Sequence, residues 1–283
     1  MSAQVRSRIA PTPSGMLHVG NAYNFLLTAW LTRQLKGRLR LRIDDLDAPR
    51  IRQAYLDDIF DTLHWLNIAC DEGPENVAGH RNKFSQQLRL DQYNHTLRLL
   101  VDSGQVFACT CSRKEIATHS ADGQYPGTCI HKKLPLNTPG SCWRMVTTPG
   151  TIVHCHDTVA GVQAIDLYQS ARHFIVRRKE GIPAYHIASL TDDVSFGINL
   201  IVRGHDLLES TAIQLHLAKQ LQYTSFLDAA FYHHPLIQDP EGEKLSKSAG
   251  STSIQFMRKN GVSLDAFMAD FNLWRRSYLN QDF

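Results

Sequence analysis

Three groups of residues in this chain have types and spacings that could do chemistry, and two of the three would handle phosphate. The segment Arg8-Ile9-Ala10-Pro11-Thr12-Pro13-Ser14-Gly15-Met16-Leu17-His18-Val19-Gly20-Asn21 sets a turn-forming cluster, a histidine and two glycines where a strand hands over to a helix. A helix N-terminus offers unpaired N–H groups and a positive dipole end, glycine lets a nucleotide approach the backbone, and His18 can donate to a phosphate oxygen. The second group, Lys244-Leu245-Ser246-Lys247-Ser248, follows the turn Asp239-Pro240-Glu241-Gly242-Glu243. Lys244 and Lys247 on one loop could neutralise charge that builds on an α-phosphate as a carboxylate attacks it. Each element alone is weak evidence, since surface histidines near caps and solvated lysine/serine loops are common; both in this order point to nucleotide chemistry.

The third group is Cys109, Cys111 and Cys129. Thiolates at Cys-x-Cys spacing can share one zinc ion, and a structural site completes four ligands. His119, His131, His154, Cys155 and His156 all compete for the remaining position. Six cysteines, unevenly spaced, do not make a disulfide framework, and their bunching fits metal chemistry in a reducing compartment. Cys70, Cys142 and Cys155 read as packing residues, because a free cysteine behaves as a small hydrophobe.

The elements that must position these groups follow from periodicity. Val5 to Ala10 alternates as a strand and stops at the proline-rich turn; Val19 to Leu35 reads as a helix ended by Gly37; Leu39 to Ile43 reads as a second strand. Such a βαβ unit predicts parallel strands with ligands beyond their carboxyl ends. Ile51, Tyr55, Ile59, Leu63 and Leu66 keep helical spacing, and so do Phe84, Leu88, Tyr93, Leu97 and Leu100 before Gly104. From about Cys109 to Thr158 periodicity is poor, as in an inserted subdomain, apart from strand-like pieces such as Thr151 to Val153. Regular patterns return at Phe174 to Arg178, Tyr185 to Ser189, Leu200 to Val202 and Ser210 to Gln222, and Leu264, Phe267, Met268 and Phe271 predict a final amphipathic helix.

With 283 residues, 43% apolar and 20% charged, the chain has the composition of an ordinary globular protein. No long apolar run or signal-peptide pattern is present, so a cytoplasmic protein with no membrane partner is expected. A net charge of +3 permits RNA binding without requiring it.

The two phosphate-handling segments resemble the HIGH and KMSKS signatures of class I aminoacyl-tRNA synthetases. Arg8-Ile9-Ala10-Pro11-Thr12-Pro13-Ser14-Gly15, Leu41-Arg42-Ile43-Asp44-Asp45-Leu46-Asp47 and Val202-Arg203-Gly204-His205-Asp206-Leu207-Leu208 resemble the glutamyl/glutaminyl branch, over about residues 5 to 250. The chain is most similar to the small glutamyl-Q tRNA(Asp) synthetases. Their Cys-x-Cys and Tyr-x-x-x-Cys pattern matches Cys109, Cys111, Tyr125 and Cys129, which implies a structural zinc with Tyr125 as fourth ligand.

The resemblance implies an α/β fold: a Rossmann-type parallel sheet with a zinc-binding insertion and a short helical tail. The expected divisions are 1–104 and 173–248 for the two halves of the catalytic core, 105–172 for the insertion and 249–283 for the tail. It further implies ATP held by Pro11, Gly15, His18, Gly20, Asn21 and Lys247, with magnesium as countercharge and His18, Lys244 and Lys247 catalytic. Glutamate would be held by Arg8, Ala10, Thr12, Asp44, Tyr185 and Arg203: the arginines on carboxylates, the hydroxyls adding hydrogen bonds, and Asp44 on the ammonium. Asp44 departs from the usual glutamate of the motif, and Asn21 departs from the fourth letter of HIGH.

Only 35 residues follow Ser248, too few for an anticodon-reading domain. In this the chain resembles the glutamyl-Q enzymes, and the resemblance implies glutamyl-adenylate formation and transfer to the queuosine base in the anticodon loop of tRNA(Asp). Alternatives remain on the same fold: charging of a tRNA 3′ end, transfer to an acceptor other than tRNA, a cytidylyltransferase-like nucleotidyltransferase, or a non-catalytic zinc- and RNA-binding protein. Oligomeric state is open, with a monomer favoured.

Overall fold

A computed structural model describes residues 4–120, 122–237 and 253–279. The chain forms two compact units. The first is built from residues 1–88, 200–205 and 234–283, the second from residues 89–199 and 206–233.

In the first unit, strand Arg6–Ile9 lies between strands Arg38–Leu41 and Leu200–Gly204, all parallel. The expected βαβ unit is present, its helix running Val19–Gln34. That helix is buried over a wide face, from Ala22 and Phe25 to Leu31 and Thr32, which is why its sequence is apolar almost all round. His18 caps it: the His18 ring accepts the Gly20 N–H, and the Asn21 side chain accepts the His18 N–H, a reciprocal capping box. Helix Gln53–Trp65 buries Ile59 and Leu63 of the predicted stripe together with Leu56, while Tyr55 is half-buried and Ile51 precedes the helix. Helix Leu264–Tyr278 packs Phe267 and Phe271 edge-on against Tyr23, with ring centroids 5.3 and 5.4 Å apart.

One predicted helix starts later than its apolar spacing suggests. Leu90–Asp102 is helical, but Phe84 ends a π-type turn over His80–Phe84, and Leu88 lies in a 3-10 turn, 59% exposed. The side chains that break the phase are Gln86 and Gln87: Gln86 Oε1 accepts the Leu46 N–H and its Nε2 donates to the Asp44 carboxylate, while Gln87 Nε2 donates to the Asp45 and Leu46 carbonyls. A continuous helix would point them elsewhere.

The second unit holds helices Leu90–Asp102, Tyr185–Ser195 and Leu208–Gln220. Arg89 and the Tyr93 hydroxyl converge on buried Asp192, closing a hydrogen-bonded ion pair between the first two of these helices. An antiparallel sheet orders strands Val106–Cys109, Cys142–Met145 and Ile175–Arg177. Hairpin Ile152–Asp157 and Gly161–Asp166 pairs in parallel with strand Ala230–His234. The fold is thus α/β with parallel pairing prominent. Among the described residues no helix is long and apolar enough to cross a membrane.

Asp157 anchors that last pairing. Burial works to raise its pKa, but the His233 ring and the N–H groups of Ala160, Val159 and His233 outweigh it and bring the carboxyl down to about 2. A depressed folded-state pKa stabilises the fold above the unfolded value near 3.8, and the contribution is lost as pH falls through that value toward 2. Asp157→Asn should therefore cost about 2 kcal/mol near neutral pH, its side chain being fully enclosed. Urea titrations of both proteins should show the gap closing below pH 4; a gap of constant size would contradict this origin.

Candidate functional site

The expected phosphate and carboxylate residues of the first unit lie in the carboxyl-terminal halves of its parallel strands or in the chain that follows them. Arg8 is buried in the central strand, 5% exposed, and Arg203 is buried in its neighbour, 3% exposed. Strand pairing continues past the regular ladder, with Arg42 N–H donating to Ile9 O at 2.9 Å and Asp44 N–H to Pro11 O at 2.9 Å. Those bonds set Asp44 level with the start of the Pro11–Gly15 turn. Ala10 is half-buried and Thr12 exposed.

Asp44 is already charge-paired. Arg42 Nε reaches Asp44 Oδ1 at 2.6 Å and Nη2 reaches Oδ2 at 3.1 Å, with both side chains enclosed. Gln86 Nε2 stands 3.4 Å from the same Oδ1. The bidentate fork orients the carboxylate plane. Its neighbour Asp45 accepts from His80 Nε2 at 2.9 Å, Ser85 Oγ at 2.6 Å and Gln86 N–H at 2.7 Å. Burial pushes the Asp45 carboxyl up, yet these donors hold it below the usual range. The turn His80–Gln87 is therefore the element that fixes the Asp44–Asp45 pair. Sequence reasoning missed it; the signal was the run Ser85-Gln86-Gln87, three hydrogen-bonding side chains in succession just before the helix.

The His18 geometry selects a tautomer. Because Nδ1 accepts the Gly20 N–H at 3.1 Å, the neutral ring carries its proton on Nε2, which is the donor a phosphate oxygen requires. Gly20 permits this: a Cβ there would stand 2.9 Å from His18 Cε1 and 3.0 Å from Nδ1. Gly20→Ala should displace the ring and loosen its cap on the helix, a loss of about 1 kcal/mol that the better helix propensity of alanine largely offsets, while KM for ATP, the expected nucleotide, rises roughly tenfold. Melting curves beside steady-state kinetics separate the two effects, and unchanged ATP kinetics would count against the ring's proposed orientation.

Lys244 and Lys247 lie outside the described residues, but the segments on either side of them are anchored. Before them, His234 Nε2 is 2.9 Å from Asn24 Nδ2 and its ring meets Trp274 edge-on. After them, Ser253 forms an antiparallel bridge with His18, and Ile254 N–H donates to Leu17 O at 2.8 Å. Both flanks thus close on the N-terminal part of helix Val19–Gln34. Tyr185 belongs to the second unit, where it opens helix Tyr185–Ser195 and is 40% exposed.

The thiols of the second unit come together. Cys109, Cys111 and Cys129 place their sulfurs within 4.8 Å of one another, and Cys111 and Cys129 are 3.5 Å apart. Two thiolates on one tetrahedral zinc, each bonded at ~2.3 Å, stand ~3.8 Å apart. The Tyr125 hydroxyl lies 3.3 Å from Cys109 Sγ and 4.0 Å from Cys111 Sγ, a ligand-to-ligand spacing of the same kind. Among the described residues His119, His131, His154, Cys155 and His156 are not part of this group. Cys142 stands opposite Cys109 in the strand ladder and shares its buried cluster. Its thiol, ahead of the Tyr125 hydroxyl, favours the Cys109 thiolate and brings that group down to about 4 against the effect of burial. Burial and the neighbouring sulfurs instead push Cys111 up to about 11. Cys109 is thus the thiol whose surroundings favour the thiolate, the form that ligates a divalent ion.

A family model for the catalytic domain of class I tRNA synthetases (E and Q) matches residues 4–278. A glutamyl-Q tRNA(Asp) synthetase of Nitratidesulfovibrio vulgaris is 35% identical over 91% of this chain and 82% of its own length. One from Burkholderia cenocepacia is 35% identical over 90% of this chain and 84% of its own length. Glutamate--tRNA ligase 2 of Syntrophus aciditrophicus is 32% identical over 94% of this chain, which spans 56% of that protein. The crystal structure of a glutamate tRNA ligase from Elizabethkingia meningosepticum in complex with its amino acid superposes with a TM-score of 0.73. It covers 92% of this chain and 53% of that one at 24% identity, a likeness of fold. The chain therefore belongs to the glutamyl/glutaminyl family of class I tRNA synthetases, which it matches through the catalytic domain.

Proposed function

We propose that this protein is a ligase that uses ATP to activate glutamate as glutamyl-adenylate and transfers it to the queuosine base of tRNA(Asp). The observation that supports the reading most directly is the pairing of Leu17 and His18 with Ser253 and Ile254, which brings chain that follows the second signature in sequence to the end of the helix that His18 caps. ATP would lie along Pro11, Gly15, His18, Gly20 and Asn21, with Lys244 and Lys247 closing on its phosphates. Magnesium would supply further countercharge. Arg8 and Arg203 would read the glutamate carboxylates, with Ala10, Thr12 and Tyr185 lining the amino acid and Asp44 sharing its charge between Arg42 and the ammonium group.

In the first step the glutamate α-carboxylate attacks the α-phosphate and pyrophosphate leaves, with His18 Nε2–H and the two lysines countering the developing charge. In the second a hydroxyl of the queuosine cyclopentenediol attacks the adenylate carbonyl and AMP leaves. The insertion at 105–172 would hold zinc through Cys109, Cys111, Tyr125 and Cys129. That ion would supply folding energy and a rigid knot; four protein ligands leave no position for a substrate.

Similarity to glutamyl-Q synthetases over most of their length favours queuosine as the acceptor over a tRNA 3′ end. ATP–pyrophosphate exchange across an amino-acid panel without tRNA tests the first step, and glutamate should stand out. Charging of tRNA(Asp) with and without queuosine tests the second. Equal labelling of both transcripts would dismiss the queuosine acceptor while leaving glutamate activation in place.

A further inference from the structure

Arg144 is a buried cation to which the described residues bring no carboxylate. It lies in strand Cys142–Met145 and is 7% exposed. Its Nη1 donates to the His173 carbonyl at 2.9 Å, while among the described residues its Nε has no hydrogen-bond partner and no aspartate or glutamate pairs with it. A guanidinium keeps its charge at every pH the protein meets, so burial on these terms is costly until negative charge is brought to it. The thiol cluster lies on its side of the sheet. Alternation along the strand puts Cys142 and Arg144 on one face, opposite Cys109 and Phe107 in the ladder. The guanidinium carbon stands 4.0 Å from the centroid of the Tyr125 ring, and Phe107 stacks with that ring at 6.1 Å.

The Tyr125 hydroxyl oxygen accepts the Cys129 N–H at 2.8 Å and lies among the sulfurs already described. An N–H at the oxygen and a cation over the ring both favour negative charge on this side chain. The other basic groups nearby are neutral, paired or at the surface. His173 Nδ1 accepts the Thr147 N–H at 3.1 Å, which a doubly protonated ring could not do. Arg172 is paired with Asp122, and Lys179 is exposed and donates to the Thr110 carbonyl. Three thiolates on one divalent ion carry a net charge of about −1, which a tyrosine oxygen can only leave as it is or increase.

We propose that Arg144 is the counter-ion and positioning residue of the metal centre: its guanidinium, seated on the Tyr125 ring, offsets the negative charge of a divalent ion held by three thiolates and a tyrosine oxygen, and keeps that oxygen turned toward the ion. The inference rests on zinc binding at Cys109, Cys111, Tyr125 and Cys129, as in the reading above. It adds that the centre is anionic as a whole, and that the compensating charge comes from a strand outside the ligand pattern. The buried cation and the metal each remove the cost of the other, so the two are thermodynamically coupled.

The test uses the full chain and two variants. Arg144→Met keeps a long apolar stem without the charge, and Arg144→Lys keeps the charge without the planar fork. Affinity for zinc alone is measured by competition with a chromogenic chelator, and melting is followed for the metal-free and zinc-loaded forms of each protein. Arg144→Met should bind zinc about 10- to 100-fold more weakly, and Arg144→Lys less than about fivefold more weakly. Zinc-loaded Arg144→Met should melt well below zinc-loaded wild type, while the two metal-free proteins melt close together. A residue serving packing alone would lower both forms by the same amount. Such equal drops, or a loss of zinc affinity below about tenfold in Arg144→Met, would overturn the proposal. Should Arg144→Met not fold, a loss of about fivefold or more in Arg144→Lys would overturn it, because the charge is still in place. Wild-type protein that takes up no zinc would defeat the zinc reading and this inference with it. Zinc uptake that is indifferent to the charge at position 144 would defeat this inference alone.

Discussion

Arg8→Ala will reduce glutamate-dependent pyrophosphate exchange by roughly 30- to 1,000-fold, the equivalent of about 2 to 4 kcal/mol for a carboxylate left without its charge-assisted partner. The position accounts for the size of the effect. Arg8 is buried near the end of the central parallel strand, so water reaching the vacated space replaces it poorly. Arg8→Lys should recover only part of the loss, because an ammonium lacks the planar fork that grips a carboxylate at two points. ATP affinity without amino acid should change little. Kinetics of both variants over a range of glutamate concentrations check this, and near-normal exchange in Arg8→Ala would remove glutamate from the pocket and favour a nucleotidyltransferase of another kind.

The second large effect concerns the thiol cluster. Protein purified from zinc-containing medium should carry one zinc per chain, and Cys111→Ser or Cys129→Ser should lose it together with much of the stability of the insertion. Zinc binding contributes on the order of 10 kcal/mol to the folding of small finger peptides, which marks the upper end of the effect here. The rest of the second unit has its own buried contacts, including Arg89 with Asp192, so the loss should appear as a separate early melting transition. Tyr125→Phe keeps the ring packed beside Phe107 and under Arg144 and removes only the hydroxyl. It should leave three thiolates and a zinc that a mild chelator strips faster. Metal analysis by mass spectrometry with chelator kinetics provides the check, and wild-type protein free of zinc under these conditions would end the metal reading.

Much of the architecture was legible from residue order because periodicity and punctuation agreed. The proline cluster after Ile9, the apolar run from Val19 and the alternation from Leu39 gave the βαβ unit to within a residue or two of Arg6–Ile9, Val19–Gln34 and Arg38–Leu41. The phase of Phe84 and Leu88 misled because apolar spacing does not report what polar side chains between them will bond, and Gln86 is drawn into the loop behind Asp44. The buried acid Asp58 was invisible for a similar reason: one acid within an amphipathic stripe looks like surface until the Leu17 backbone that it binds, 41 positions away, is brought to it. Asn21 had stood out as a departure from the expected signature. The fold supplies a reason for it, since the amide closes the capping box on His18. Cys142 read as packing and does pack, but only pairing across the ladder brings it to Cys109.

The first unit is assembled from three stretches of chain, the second of them Leu200–His205 and the last beginning at His234. On a ribosome adding 5 to 20 residues per second, the strand bearing Arg8 therefore waits roughly 10 to 40 s for the strand bearing Arg203. Until then the edge of the central strand that will face Leu200 is unpaired, an invitation to nascent-chain association. Truncated translation products that stop before Leu200 would accordingly keep that strand edge exposed and be prone to associate.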